Sequence, residues 1–181
     1  MAAQPGVEAA ALASKVPLGT SGTGLMLQPT AVTPPLQQEL STELRYVSPG
    51  YFATMQIPVR AGREFTRRDR TNSQQVAVVN EALARKLWPS ERVPGHSLRL
   101  PELDTGQPVW DVVGVVADVH DNGLMTAAPP TLYIPFQQVA INPWHWSEEF
   151  ALSRRPHSRR RIDRSSDESC GAVGRSGVAD R

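Results

Sequence analysis

The stretch Arg45–Phe65 constrains the fold of this chain more than any other. Its sequence, RYVSPGYFATMQIPVRAGREF, predicts a β-strand, a short capped helix, a second strand and a turn. Ser48 can cap the helix by accepting a backbone N–H, and the proline after it suits the first helical position because its missing N–H would have no partner there. Pro58 cannot continue a helix, so the chain leaves it in extended form. The stretch therefore predicts a mixture of strands and short helices.

The large aromatic residues indicate where the core lies. Tyr51, Phe52 and Met55 are three and four residues apart, so they share one face of the short helix. Trp88 and Trp110 carry large apolar surfaces in other predicted elements. We expect all five side chains to pack inside the domain.

Composition limits the class of protein. The chain has 181 residues, enough for one domain that can divide into two lobes. Its 16 prolines and 13 glycines indicate many loops and a modest core. The single cysteine, Cys170, excludes an internal disulfide and a multi-cysteine metal site. The sequence begins without the cationic and apolar pattern of a secretory signal, and no run approaches the roughly 18 apolar residues of a membrane helix.

Two adjacent segments have strong local signals. Val76–Val79 is apolar at every position and predicts a buried inner strand. Asn80–Trp88 predicts a helix that begins with an asparagine cap and ends before a proline. Glu81 and Arg85 are expected to form an i,i+4 ion pair along it.

Further strands follow in the second half of the chain. Trp110–Val119 is the longest candidate, and its apolar middle predicts a central place in a sheet. Gly114 within it suits a close approach by another backbone or a large ring. Ser97–Leu100 and Thr131–Pro135 are shorter strands, and the prolines around the second favour a sheet edge.

The N-terminal part is less regular. Val7–Val16 is compatible with a helix because of its alanines, and also with a strand. Thr20–Gln38 is rich in threonine, glycine, proline and glutamine and has no clear period, which predicts an irregular excursion.

The segment TRRD predicts a single turn in which Thr66 is the N-cap and Asp69 closes a capping box. Arg67, Arg68 and Arg70 surround that carboxylate and could form a patch for nucleic acid. Because Asp69 lies among the arginines and dilutes their charge, a solvated turn is the favoured interpretation. We therefore predict no nucleic-acid partner.

The best candidates for a chemical site are Asp118, His120 and Asp121, with His96 and Ser48 elsewhere. Histidine and carboxylates can form a metal site or a base with its orienting partner. The alternative is a polar strand end that runs into a turn, where aspartate is common. Neighbouring strand residues face opposite ways, so Asp118 and His120 would share a face. We favour the strand end, and predict no catalytic, cofactor-binding or metal-binding residue.

Other motifs for chemistry are missing from the sequence. It has no G-x-x-x-x-G-K-[ST] loop, no G-x-G-x-x-G after a strand and no G-x-S-x-G elbow, so an ATPase that acts with this chain would be a separate chain. The segment Trp144-His145-Trp146 fits two interpretations equally. It could contact a partner or a membrane interface, or it could pack its rings on the sheet.

Four segments occur in order and with ordinary spacing: VSPGYFATMQIPVRAGREF, VAVVNEALARKLWP, PGHSLRL and WDVVGVVADVHDNGL. Together they resemble the extracytoplasmic core domain of MacB-like ABC-transporter permeases, the FtsX-type permeases that include a large duplicated group without a fused ATPase. The resemblance runs from about Pro5 to about Leu152. It implies an α+β fold of two lobes, one ferredoxin-like, with short helices packed on a mixed or antiparallel sheet and an incomplete C-terminus. It also favours a strand at Val7–Val16.

The resemblance implies a non-catalytic domain that faces the periplasm from the inner membrane. Such a domain couples ATP-driven movement of membrane helices to substrate export or to control of a partner. The implied partners are a cytoplasmic ABC ATPase subunit, the membrane portion of the permease and a periplasmic adaptor. The alternative is a small soluble α/β enzyme or metal-binding protein that uses His120 with Asp118.

The sequence changes character at Ser153. Residues 1–152 are predicted to form the domain, and residues 153–181 a disordered tail rich in arginine and serine. Up to Ser153 there are 11 basic and 14 acidic residues, whereas the remainder has 8 arginines and 4 acidic residues. The resemblance implies a further strand, helix and strand in that region. We hypothesise that a reading-frame shift near Ser153 replaced them and that the chain is a fragment.

Overall fold

The computed structural model describes residues 7–15, 23–29, 40–89, 91–100, 103, 109–120, 123, 126–139 and 151–156. Its strands are β1 (Val7–Ala13), β2 (Thr23–Pro29), β3 (Leu40–Val47), β4 (Val59–Gly62), β5 (Val76–Asn80), β6 (Ser97–Arg99), β7 (Val109–Val116), β8 (Thr131–Pro135) and β9 (Ala151–Pro156). Its helices are α1 (Tyr51–Thr54), α2 (Glu81–Leu87) and a 3-10 turn at Phe136–Gln138.

These strands join in a curled mixed sheet. The hydrogen-bonded order is β2-β6-β7-β5-β8-β3-β1-β9, with β4 paired to β7. β2 also pairs with β3, so the first six strands of that order close on themselves. The β3–β8 and β5–β7 pairs are parallel, whereas the other pairs are antiparallel. The predicted α+β class with short helices on a mixed sheet is confirmed.

Apolar side chains cover both faces of the sheet. The face on which α2 packs, here called the α2 face, consists of Leu25, Leu27, Leu44, Tyr46, Ala77, Val79, Leu83, Leu87, Trp88, Val93, Leu98, Leu100, Trp110, Val112, Val115, Leu132 and Ile134. The face on which α1 packs, here called the α1 face, consists of Ala11, Ala13, Val47, Tyr51, Phe52, Ile57, Phe65, Val76, Val78, Val116, Ala117 and Tyr133. The predicted burial of the two helix aromatics and of both tryptophans is confirmed, and Met55 packs partly buried against the α1 face.

The strands with strong local signals are confirmed. β5 is buried at every position, as its unbroken apolar run predicts. β7 pairs with β4, β5 and β6, which gives it the central place expected of its apolar middle. β6 lies at the predicted position, paired with both β7 and β2.

Two glycines let the chain after β4 lie directly against β7. A Cβ on Gly114 would overlap the carbonyl oxygen of Arg63, and one on Gly62 would overlap the carbonyl oxygen of Val113. Gly62 also has a φ of 71°, a left-handed conformation that glycine adopts without strain. The prediction that Gly114 permits a close backbone approach is confirmed, and its partner is the Arg63 backbone.

The prediction of an irregular excursion over Thr20–Gln38 is wrong for Thr23–Pro29, which form β2, and the rest of that range lies outside the described residues. β2 pairs antiparallel with β3 from Thr23 opposite Leu44 to Leu27 opposite Leu40. Leu25 and Leu27 alternate with exposed or half-buried neighbours and are themselves buried. That short period-2 signal was hidden by the glycines, prolines and glutamines around it.

The prediction that Thr131–Pro135 is an edge strand is wrong as well. β8 lies between β5 and β3, and all its residues are buried. Prolines disrupt a ladder only where a backbone N–H is needed. Pro130 precedes the strand and Pro135 is its last residue, so neither interrupts its middle.

The helix in the central stretch begins later than predicted, at Tyr51. Its N-cap is Gly50, in a left-handed conformation, and no side chain caps it. Ser48 instead extends the sheet: its backbone N–H donates to the Leu12 carbonyl, and its Oγ accepts from the Leu12 N–H, both at 2.9 Å. The predicted cap is therefore wrong, because a long-range strand contact takes up the serine side chain.

Strands β1 and β9, the last two in the order, lie at the predicted beginning and end of the domain. β1 is a strand, as the family resemblance favours, and the alanines form no helix there. It pairs antiparallel with β9 from Val7 opposite Pro156 to Ala13 opposite Ala151. β9 thus continues past Ser153, where the tail was predicted to begin. Residues 157–181 lie outside the described part of the chain.

The helix α2 follows its local signals except in its ion pair. Asn80 caps it, accepting the Leu83 N–H at 3.0 Å through its side-chain oxygen. The predicted pair of Glu81 with Arg85 is wrong, because each side chain has another partner. Glu81 lies 3.6 Å from Arg60, and Arg85 lies 2.7 Å from Asp118.

Candidate functional site

Asp118 contacts the start of α2. Its Oδ1 accepts the backbone N–H of Ala82 at 2.7 Å, and its Oδ2 accepts from the Arg85 guanidinium at 2.7 Å. A carboxylate at this end of a helix satisfies a donor that has no partner within the helix and complements the helix dipole. Both carboxylate oxygens therefore bind groups of α2.

His120 makes a separate local contact. Its Nδ1 lies 2.9 Å from the carbonyl oxygen of Thr126, and its side chain is exposed. β7 ends at Val116, so the strand alternation that would place His120 and Asp118 on one face does not extend to them. Asp121 lies outside the described residues. Asp118 and His120 therefore bind different partners.

His96 and Ser48 lie in other parts of the chain, and each contacts neighbours of its own. The His96 ring stacks on Trp88 with a centroid distance of 4.8 Å, and its Nε2 lies 3.1 Å from Glu91. Ser48 bonds β1, as described above. In the residues that the structure describes, no three histidine, cysteine, aspartate or glutamate side chains are grouped so as to hold a metal ion.

A group of charged residues that the sequence analysis missed lies beside the α1 face. Glu43 accepts from Arg45 at 2.9 Å and from Lys15 at 3.3 Å, and the side chains of both cations are almost fully buried. Lys15 follows β1, whereas Glu43 and Arg45 lie two residues apart on β3. We call these three residues the buried ion triad. One carboxylate here serves two buried cations.

Two tyrosines adjoin the triad. The Arg45 guanidinium lies 5.9 Å from the centre of the Tyr133 ring, and Tyr51 packs 6.3 Å from Tyr133 between ring centres. Burial raises the pKa of both phenols, and the positive charge of Arg45 opposes that shift without reversing it. On the opposite face, burial raises the pKa of Tyr46 to about 12. At neutral pH all three phenols keep their protons, so none is suited to act as a base.

A second missed ion pair holds the arginine-containing turn. Arg63 donates two hydrogen bonds to Asp69, at 2.8 and 2.9 Å, and Asp69 also accepts the Thr66 N–H at 2.7 Å. The predicted capping box is confirmed by that last bond. Burial would raise the pKa of Asp69, but the hydrogen bonds from Arg63 and Thr66 outweigh it and lower the pKa.

The sequence contains a partial signal for the pair of Glu43 with Arg45. Glu43 and Arg45 have opposite charges and a period-2 spacing, so they share one strand face with Val47. A face that also carries an apolar residue points inward. Nothing local identifies Lys15, because 28 residues separate it from Glu43. The segment Trp144-His145-Trp146, for which the sequence left two interpretations open, lies outside the described part of the chain.

The described helices are too short to cross a membrane. Among solved structures, the chain is similar to the periplasmic region of MacB from Actinobacillus actinomycetemcomitans, with 17% identity and a TM-score of 0.56 over 84% of this chain and 59% of that one. It is also similar to the extracellular domain of the noncanonic ABC-type transporter YknZ from Gram-positive bacteria, with 15% identity and a TM-score of 0.56 over 87% of this chain and 70% of that one.

The chain thus spans about 59% of the MacB region that it matches. At these identities the similarity shows the fold. A search of the curated proteins finds no match. The family model of the MacB-like periplasmic core domain matches residues 2–162, which is most of the sequence and extends beyond the predicted end at Leu152. The chain belongs to the MacB-like periplasmic core domain family.

Proposed function

We propose that the chain is the extracytoplasmic, non-catalytic domain of an ABC-transporter permease. It couples ATP-driven movement of membrane helices to export of a substrate or to control of a partner protein. The observation that carries this proposal is the family match over residues 2–162. The partners are a cytoplasmic ABC ATPase subunit, the membrane portion of the permease and a periplasmic adaptor.

The packing of the domain supports a mechanical role. A body that transmits movement must resist deformation, and close-packed protein interiors transmit strain because they are hard to compress. Here apolar side chains cover both faces of one sheet, and parallel and antiparallel ladders link its strands. Force applied at one end of such a sheet reaches the other end through hydrogen-bonded strands.

The polar groups of the described residues support a non-catalytic role. Asp118, Ser48 and the buried ion triad all make intramolecular bonds that hold elements together. A general base needs a nearby reacting group and a pKa close to the working pH. The polar side chains considered above converge on no common point where a substrate could react.

The extent of the domain stays a prediction. The family match reaches residue 162, so we propose that the family pattern is lost beyond it, through a frame shift in the region that follows Ser153. Sequencing the genomic DNA on both sides of the gene tests this directly. A family-like continuation in another frame after Ser153 supports it, whereas a clean frame with no such continuation contradicts it.

The central experiment is purification of the chain, tagged at its chromosomal locus, from detergent-solubilised membranes. We expect it in the membrane fraction together with an ABC ATPase subunit and the permease portion. Recovery in the soluble fraction, with no ATPase, would contradict the proposal.

A variant separates the mechanical role from the enzymatic alternative. His120→Ala removes an exposed side chain, so the fold should be retained. ATP hydrolysis by the purified assembly is expected to stay within about twofold of wild type, a free-energy change of roughly 0.4 kcal/mol. A larger loss, together with stoichiometric zinc or manganese in the wild-type protein, would favour the enzyme or metal-binding alternative.

A further inference from the structure

The turn that follows Phe65 presents a cluster of positive charge to solvent. The side chains of Arg67, Arg68 and Arg70 are exposed. Together with the polar residues after them they line an open concavity of about 660 Å³, whose walls are Arg67, Arg68, Arg70, Thr71, Asn72 and Ser73. We call this surface the arginine concavity. Among the described residues no carboxylate is paired with any of its three guanidiniums.

The carboxylate within the turn does not dilute that charge. Asp69 is 5% exposed and is turned inward, where Arg63 holds it through two hydrogen bonds. The Thr66 N–H and hydroxyl bind the same carboxylate. Because Arg63 neutralises the buried Asp69 carboxylate, the charges of Arg67, Arg68 and Arg70 on the outside of the turn are not offset by it. This reverses the sequence-based argument that Asp69 makes the segment an ordinary solvated turn.

Hydrogen bonds hold the arginine concavity in one conformation. Ser73 Oγ accepts the Arg70 N–H at 3.1 Å and donates to the Arg70 carbonyl at 2.7 Å. Thr71 donates to the Gln137 carbonyl at 2.6 Å, and Gln138 donates to Ser73 Oγ at 2.9 Å. The second pair of bonds ties the turn to the segment after the central strand β8. A site that is already ordered loses less entropy when a ligand binds.

The chemistry of the lining identifies the ligand class. Guanidinium groups present planar forks of N–H donors that match the oxygens of a phosphate group, and the side-chain amide of Asn72 can add a further donor. The Thr71 and Ser73 hydroxyls donate to backbone carbonyls and so order the wall rather than bind the ligand. The described residues that line it are all polar or charged, and none has a large apolar side chain, so the lining favours a charged ligand over an apolar one. We propose that the arginine concavity is a binding site for a phosphate group, either free in solution or carried on a lipid headgroup.

The size of the cluster disfavours nucleic acid as the ligand. A chain of about four residues spans at most ~14 Å, so the three guanidiniums can reach few phosphates. A protein that holds a nucleic acid through roughly 6–10 phosphate contacts needs a more extended basic surface. The concavity suits one or two phosphate groups.

The test uses the full-length chain and two triple variants of equal charge. The site variant is Arg67→Gln with Arg68→Gln and Arg70→Gln. The control variant is Lys86→Gln with Arg92→Gln and Arg99→Gln, which removes three other exposed cations. Both variants keep the arginines of residues 154–181, so non-specific attraction by that segment is the same in each.

The first measurement is a titration with inorganic phosphate that is monitored by backbone amide NMR. The ionic strength is held constant, and chloride is the reference anion. We expect saturable shifts at residues 66–73 in the wild type and in the control variant. The site variant should lose affinity by at least about tenfold, since it loses three charge-assisted donors. No saturable shift in the wild type, or equal losses in the two variants, would overturn the proposal.

The second measurement distinguishes the two sources of phosphate. Co-sedimentation compares vesicles of phosphatidylglycerol with vesicles of phosphatidylcholine. A loss on the order of 100-fold for phosphatidylglycerol in the site variant, absent from the control variant, assigns the site to a lipid headgroup. Phosphate binding without that loss assigns it to a soluble phosphate compound. Neither measurement requires the chain to be part of a permease, so failure here leaves the proposed function unaffected.

Discussion

The α2 face and the α1 face of the sheet differ in how charge meets the core. In the described part of the chain, the α2 face is formed by buried tryptophans, leucines, valines and other apolar residues. The α1 face is aromatic, and beside it lie Lys15 and Arg45, two of the charged side chains that the structure describes as buried. Both faces bury apolar side chains, but beside the α1 face two buried cations also share one carboxylate.

The difference between the faces affects both stability and specificity. The free energy gained by burying apolar side chains is proportional to the buried area and has little directional preference. An apolar core therefore tolerates rearrangement. A buried ion group is costly unless every charge keeps its partner. The α2 face should therefore supply most of the free energy of folding, whereas the ion triad fixes how β1 and β3 are placed relative to each other.

The largest expected effect concerns the α2 face. Trp110→Ala removes a fully buried ring on the central strand β7 and leaves a cavity. We expect a loss of about 3–5 kcal/mol in the free energy of unfolding, measured by urea denaturation. Val59→Ala is the control, because Val59 is exposed and should change stability by about 0.5 kcal/mol or less. Similar losses in the two variants would show that the α2 face is not the principal core.

The next effect concerns the buried ion triad. Glu43→Gln keeps the shape of the side chain but removes the carboxylate that Lys15 and Arg45 share. Because both cations are buried, we expect a loss of about 3 kcal/mol in the free energy of unfolding. The matched control is Glu81→Gln, whose partner Arg60 is more than half exposed, and its cost should be below about 1 kcal/mol. Equal costs would remove the distinction between the two faces.

Local signals predicted the parts of the fold in which neighbours in sequence are also partners. The apolar run of β5, the Asn80 cap of α2 and the bond from the Thr66 N–H to Asp69 all depend on residues within about four positions of each other. The sequence therefore contains the whole interaction. The family resemblance added the choice of a strand for β1, which alanine propensity opposes.

The remaining features depend on contacts between distant segments. Ser48 has the right type for a helix cap, yet it bonds Leu12, 36 residues away. Strand β8 has the prolines of an edge strand, but the parallel pairing with β3 places it inside the sheet. At the candidate site, the same limit applies to Asp118, whose partners lie on α2. Propensity assigns a residue a local role, and tertiary pairing can override it.

A smaller effect is expected at Gly114 on β7, the strand that contributes side chains to both faces. Gly114 lies on β7, between residues that face opposite sides, with the Arg63 carbonyl in the place of a side chain. Gly114→Ala should force that backbone away and cost about 1–3 kcal/mol, measured by thermal and urea unfolding. Gly24→Ala is the control, since nothing lies within 4 Å of its added Cβ. It should be neutral, and a comparable loss there would point to β-propensity rather than to backbone contact.

The smallest expected effect concerns the ion pair of Asp69 with Arg63, near the rim of the α1 face. Asp69→Asn should cost about 1 kcal/mol at neutral pH, because the pair is partly exposed through Arg63. The folded-state pKa of Asp69 is lowered, so its contribution is complete above the unfolded pKa near 3.8 and is lost as the pH falls through the folded value. Urea denaturation of both proteins between pH 7 and pH 2 measures this.

The difference between wild type and Asp69→Asn should stay constant from neutral pH down to the unfolded pKa, decline below it, and be lost once the pH has fallen through the folded-state pKa. A depressed carboxyl pKa means that acid removes stability from the wild type and not from the amide variant. A difference that persists unchanged to the lowest pH would show that the Arg63 bond stabilises the turn by shape rather than by charge. The rim of the α1 face would then be stabilised by packing, as the α2 face is. In that case the buried ion triad alone would distinguish the two faces.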